Sequence, residues 1–178
     1  SEDEKVVKEA KRLLDENRRE NKEIDERAEK ALEDSHRKVR KIDKEAKELL
    51  EKLRRDVEEV KEEELKKELR KELERVLRRH KKLVDDLKRE NDEVLKRHRD
   101  LVEESKRKLE EILKELEERL RSRELLDKVR REVERLKEES KKSHDRIREE
   151  LRRNKEEIEK SHDEIRRRVE KLDDEIRR

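Results

Sequence analysis

The stretch from Arg79 to Lys114 repeats itself. Its halves, RHKKLVDDLKRENDEVLK and RHRDLVEESKRKLEEILK, are 18 residues each and overlay almost position for position. His80 falls on His98, Leu83 on Leu101, Val84 on Val102 and Val94 on Ile112. Eighteen residues make five turns of an undistorted α-helix, about 3.6 residues each. A face repeated at that interval stays on one side of a straight helix. A seven-residue repeat would impose a left-handed supercoil and an 11-residue repeat a right-handed one. The same period runs through the first third of the chain, where Val6, Ile24, Ile42 and Val60 share one phase and Ala10, Ala28 and Ala46 another.

A chain that is 65% charged and 26% apolar would ordinarily stay unfolded. Here the apolar residues recur at steps of three and four, which is the spacing of a helix face. No Gly or Pro punctuates the pattern, so the phase of the repeat has to locate the breaks. Carried forward from Val57, the first face should reach position 75, but Arg75 is there and Val76 is the apolar residue. Carried forward from Leu109 and Ile112, the second face should reach Asp127 and Arg130, yet Leu126 and Val129 are apolar. Each slip is one residue, about 100° of rotation. The breaks fall near Glu62 to Glu64 and Arg121 to Arg123, with Ser122 suited to cap the third helix. Ser1 and Glu4 fit a capping box at the start of the first. The expected fold is all-α: one antiparallel up-down-up three-helix bundle spanning 1–178, with long, nearly untwisted helices at about 2–61, 65–121 and 123–177.

Antiparallel pairing about those breaks gathers the polar residues of the apolar faces into layers. Across the second and third helices, His98 meets His144, His80 meets His162, Asn91 meets Asn154, and Ser105 meets Ser140. From the first helix, Asn21 joins Ser105, Ser35 and His36 join Asn91, Ala28 faces His98, and Ala46 faces His80. Asn17 lies on the same face, and Ser143 and Ser161 stand beside the third-helix histidines. Polar groups in a dry core are costly unless they bond to one another. Grouping them at shared heights supplies partners and fixes register, as a buried Asn does in coiled coils.

With this repeat, a surface of almost nothing but Glu, Lys, Arg and Asp, and Asn, Ser and His set in layers, the chain resembles de novo designed parametric helical bundles with buried hydrogen-bond networks. The resemblance covers the whole sequence. It implies a structural scaffold in which protonation of the histidines destabilises the bundle. Burial of the imidazoles acts in the same direction. A histidine held neutral in a core resists charging, so its stabilisation is present above about pH 6.5 and lost below it.

Other functions find little footing. Zero Cys removes thiolate chemistry, and zero Gly removes phosphate-cradling loops. Each His layer offers two imidazoles with no acid on the core face at its height, short of the ligands a zinc site needs. Ser143–His144 and Ser161–His162 are neighbours in sequence, but neighbours on a helix point about 100° apart, so no catalytic triad is expected. The 59 basic and 57 acidic residues interleave, and no aromatic residue is present to stack a base, so nucleic acid is not an expected partner. No membrane span or signal peptide is visible and no cofactor is expected. The reading is a soluble, non-enzymatic monomer, the alternative being an interaction or self-assembly module that completes its core with another helical chain.

Overall fold

The computed structural model describes all residues 1–178. Three helices take up nearly the whole chain: α1 (Glu2–Glu59), α2 (Glu63–Arg119) and α3 (Arg123–Arg177). Two three-residue connections, 60–62 and 120–122, join them. No residue has a positive φ. These turns therefore never enter the left-handed region that favours glycine, which is how the chain reverses twice without one. The first turn starts two residues earlier than the phase slip placed it.

Caps are set where the sequence offers them. Ser1 Oγ accepts from the Glu4 amide at 3.4 Å while the Glu4 carboxylate lies 3.7 Å from the terminal ammonium. Ser122 Oγ accepts from the Leu125 amide at 3.3 Å. Asp3 does more than favour the dipole of its own helix: its carboxylate accepts from the backbone amides of Arg121 at 3.2 Å and Ser122 at 2.9 Å. Ser122→Ala should cost about 1 kcal/mol, the usual loss for an N-cap, measurable as a lower urea midpoint with unchanged slope.

The helices form an antiparallel three-helix bundle. Partners rise on α1 as they fall on α2 (Asn17 with Ser105, Asp25 with His98), whereas α1 and α3 rise together (Ser35 with Asn154, Asp43 with Ser161). The chain divides into two compact units, each taking one segment from every helix: residues 1–31 with 93–150, and 32–92 with 151–178. In the first unit Val6, Ala10, Leu14, Leu109, Leu116 and Val133 belong to an apolar cluster. In the second, one cluster includes Ala46, Leu50, Leu73 and Ile165, and another joins Val84, Leu87 and Ile158. Burying each Leu or Ile contributes about 1.5–3 kcal/mol. Cross-helix ion pairs such as Lys38–Glu90 at 3.2 Å sit in water and contribute about 1 kcal/mol at most.

Candidate functional site

In the first unit Asp25, 5% exposed, stands between two histidines. Its Oδ1 accepts from His98 Nε2 at 2.7 Å and from His144 Nδ1 at 2.7 Å, and Ser143 Oγ donates to Oδ2. The imidazoles meet edge to face, centroids 5.5 Å apart. Burial pushes the Asp25 carboxyl up, but the hydrogen bonds from His144, His98 and Ser143 outweigh it and hold it well below the usual carboxylate range.

The neighbouring amides decide what His144 faces. The Asn17 main-chain carbonyl can only accept, so Asn21 turns its Nδ2 toward it, at 2.8 Å. Asn21 Oδ1 is left facing His144 Nε2 at 2.8 Å. His144 thus has an acceptor at each nitrogen, and only the imidazolium carries two N–H donors. In that form it would balance the charge of ionised Asp25. His98 donates through Nε2 alone, and its Nδ1 is buried without a partner. What departs from the expectation is the carboxylate in the layer, which faces both His98 and His144.

The second unit holds a related cluster with a different outcome. Asp43 Oδ1 lies 2.8 Å from His80 Nε2 and accepts from Ser161 Oγ. His80 Nδ1 faces His162 Nδ1 at 3.1 Å, the two rings stacked with 13° between their planes. For Asp43, burial raises the carboxyl pKa, but bonds from His80 and Ser161 and the charges of His80 and Lys47 bring it below the usual range. Burial, and then the charge of His80, pushes His162 down.

One substitution accounts for much of the contrast. Asp25 and Asp43, His98 and His80, His144 and His162, and Ser143 and Ser161 are each 18 residues apart. Asn21, however, corresponds to Val39, which has no acceptor to offer. His162 has no counterpart of the Asn21 contact and turns its Nδ1 to the other histidine.

The acids correct the sequence reading. Ala28 and Ala46 were expected opposite His98 and His80, and no acid was expected on the core face. Both alanines are buried, but Asp25 and Asp43 supply the contacts. The cause is the first turn: its earlier position moves α1 against α2 by about one helical turn. The same shift gives Ser105 to Asn17, at 3.3 Å, in place of Asn21. Ser140 is half-buried at the rim of a cavity lined by Asn17, Asn21 and Ser105 and is outside the bonded set. Ser35, Asn91 and Asn154 do meet: Asn154 Nδ2 donates to Ser35 Oγ and Asn91 Oδ1, both at 2.9 Å, and Asn91 Nδ2 to the Leu151 carbonyl at 2.8 Å. His36, placed in that layer by register, is exposed beside it. Neither Ser143 nor Ser161 donates to a histidine. Each donates to a carboxylate, so neither makes the Ser–His pair of a catalytic triad.

No protein-family model matches the chain, and no curated protein matches it. Among solved structures it is similar to a chain described as a "Computationally designed three helix bundle", at 21% identity, over 98% of this chain and 83% of that one, with a TM-score of 0.45. A likeness at that level carries no argument about what the buried clusters do. No helix is long and apolar enough to cross a membrane.

Proposed function

We propose that the chain is a non-enzymatic structural scaffold, built in the manner of a designed bundle, whose buried polar clusters set helix register and whose His80–His162 pair makes it acid-sensitive. The observation that carries this is the Nδ1–Nδ1 contact of 3.1 Å. It needs one proton between the rings. With both histidines neutral, His162 donates to His80. With His80 charged, His80 donates to His162, and the new charge balances Asp43. With both charged, two N–H groups oppose each other and the contact breaks. The second proton is the destabilising one. Other charges facing His162 divide in sign: Asp163 opposes its depression, while Lys81 and Arg166 add to it. Leu49 and Leu65 are its large exposed apolar residues, and so small an apolar surface supports the monomer reading.

The sign is fixed by the direction of the shifts. His162 titrates lower in the folded chain than in the unfolded one, so its stabilisation is complete above about pH 6.5 and is lost as pH falls below that. Asp43 is also depressed, so its contribution is present above about pH 3.9 and disappears only in stronger acid. Between about pH 7.5 and about pH 5, His162 is therefore a responsive group, with a slope below the ~1.4 kcal/mol per pH unit of one fully coupled proton because water reaches part of the ring. The urea midpoint should fall between those two pH values, and His162→Gln, whose amide can accept from His80 but does not titrate, should shrink the fall. A midpoint that does not move in the unaltered chain, or falls as far in His162→Gln, would refute the acid-sensitive reading.

A further inference from the structure

We infer that the Asp25–His98–His144 cluster is a binding site for one first-row divalent transition metal ion, Zn²⁺ or Co²⁺, held by two imidazoles and one carboxylate. The inference is independent of the acid response, which concerns the other cluster.

Convergence carries it. One ligand atom from each of the three residues lies within 4.8 Å of the others, and all three residues are buried. His98 Nε2 and His144 Nδ1 both point at the same carboxylate oxygen. Their 2.7 Å separations from it need widen by only about 0.6–0.7 Å to surround an ion with bonds of about 2.0–2.1 Å. The cluster in the second unit lacks this property. There the carboxylate and the second imidazole lie on opposite nitrogens of His80, so the three cannot close on one point.

The surroundings suit ligands already oriented. Asn21 Oδ1 accepts from His144 Nε2, which leaves Nδ1 as the coordinating nitrogen. Such an outer hydrogen bond is a regular companion of metal-bound histidine. Ser143 holds the other carboxylate oxygen and so favours a one-oxygen contact, with the fourth position left to water. Two imidazoles with one carboxylate suit Zn²⁺ or Co²⁺ and not Mg²⁺ or Ca²⁺, which take oxygen ligands. The proton balance closes: His144 gives its Nδ1 proton to solvent, the His98 proton moves from Nε2 to Nδ1, and the ion replaces them at the carboxylate.

Titration of the full chain with Co²⁺ near neutral pH, followed by visible absorption, tests this. The expected result is one ion per chain, a tetrahedral d–d band, release of about one proton per ion, and displacement by Zn²⁺ but not by Mg²⁺. Asp25→Asn and His98→Gln should each abolish the band, and Asn21→Leu should weaken binding about 10–100-fold. Asp43→Asn should leave it unchanged. Circular dichroism of each variant separates loss of a ligand from loss of the fold. Absence of stoichiometric binding to the unaltered chain overturns the inference without need of a variant. So does a band that survives in folded Asp25→Asn or folded His98→Gln, or that disappears in folded Asp43→Asn.

Discussion

Asp25→Ala should destabilise the chain by about 3–5 kcal/mol, the loss seen when one partner of a buried ion pair is removed. The carboxylate takes three bonds, from His98, His144 and Ser143. Without it, the His144 nitrogen that faced it is left without a partner in a dry layer. Ser143 and His98 lose their acceptor as well, and His98 already has one nitrogen unpaired. Asp43→Ala should cost less, about 1–3 kcal/mol, the range for an orphaned hydrogen-bonding group. The Asp43 side chain is 20% exposed against 7% for Asp25, so water can take over part of its role. Urea unfolding of the two variants at neutral pH gives the comparison, and equal losses would show that depth does not set the cost.

The helices were legible because a helix face is a one-dimensional pattern. Val6, Ile24, Ile42 and Val60 reveal their period without knowledge of any partner, and two phase slips are enough to count the segments. Chemistry at the clusters depends on register, which the slip constrains only to a residue or two. Starting α2 at Glu63 was enough to exchange Ala28 for Asp25 and Ala46 for Asp43. A signal was available all the same. Asp25 and Asp43 lie 18 residues apart, in step with both pairs of histidines and with Ser143 and Ser161. Among 57 acidic residues, most of them on solvated faces, two aspartates in phase with the histidine rows are easily passed over. Their neighbours Ile24 and Ile42 define the core row, and a carboxylate one position off it can still reach inward. The pair of acceptors around His144 was beyond sequence reasoning, because one of them follows from the orientation of the Asn21 amide, locked by the Asn17 main-chain carbonyl.

Ile165→Ala should remove about 2–5 kcal/mol, and the value should fall in the upper half of that range. Ile165 is fully buried in a cluster with Ala46, Leu73 and Leu172. The chain has no Met and no aromatic residue, so the core contains only short, stiff side chains, and none can swing across to fill the gap. The helical backbone on either side is continuous, with the nearest turn far away in sequence, which limits collapse of the site. Leu49→Ala is the matched control: Leu49 is 43% exposed, and its loss should change stability by no more than about 0.5 kcal/mol. The cavity also acts on the acid response. Ile165 lies one turn beyond His162 on the same face of α3, and burial is the largest cause of the low His162 pKa. Loosening that burial brings the folded value back toward the unfolded one, so Ile165→Ala should be less stable at both pH values and yet lose less than the unaltered chain between about pH 7.5 and about pH 5. Chemical denaturation at those two pH values measures both effects, and a fall as steep as in the unaltered chain would mean that core packing does not govern how His162 titrates.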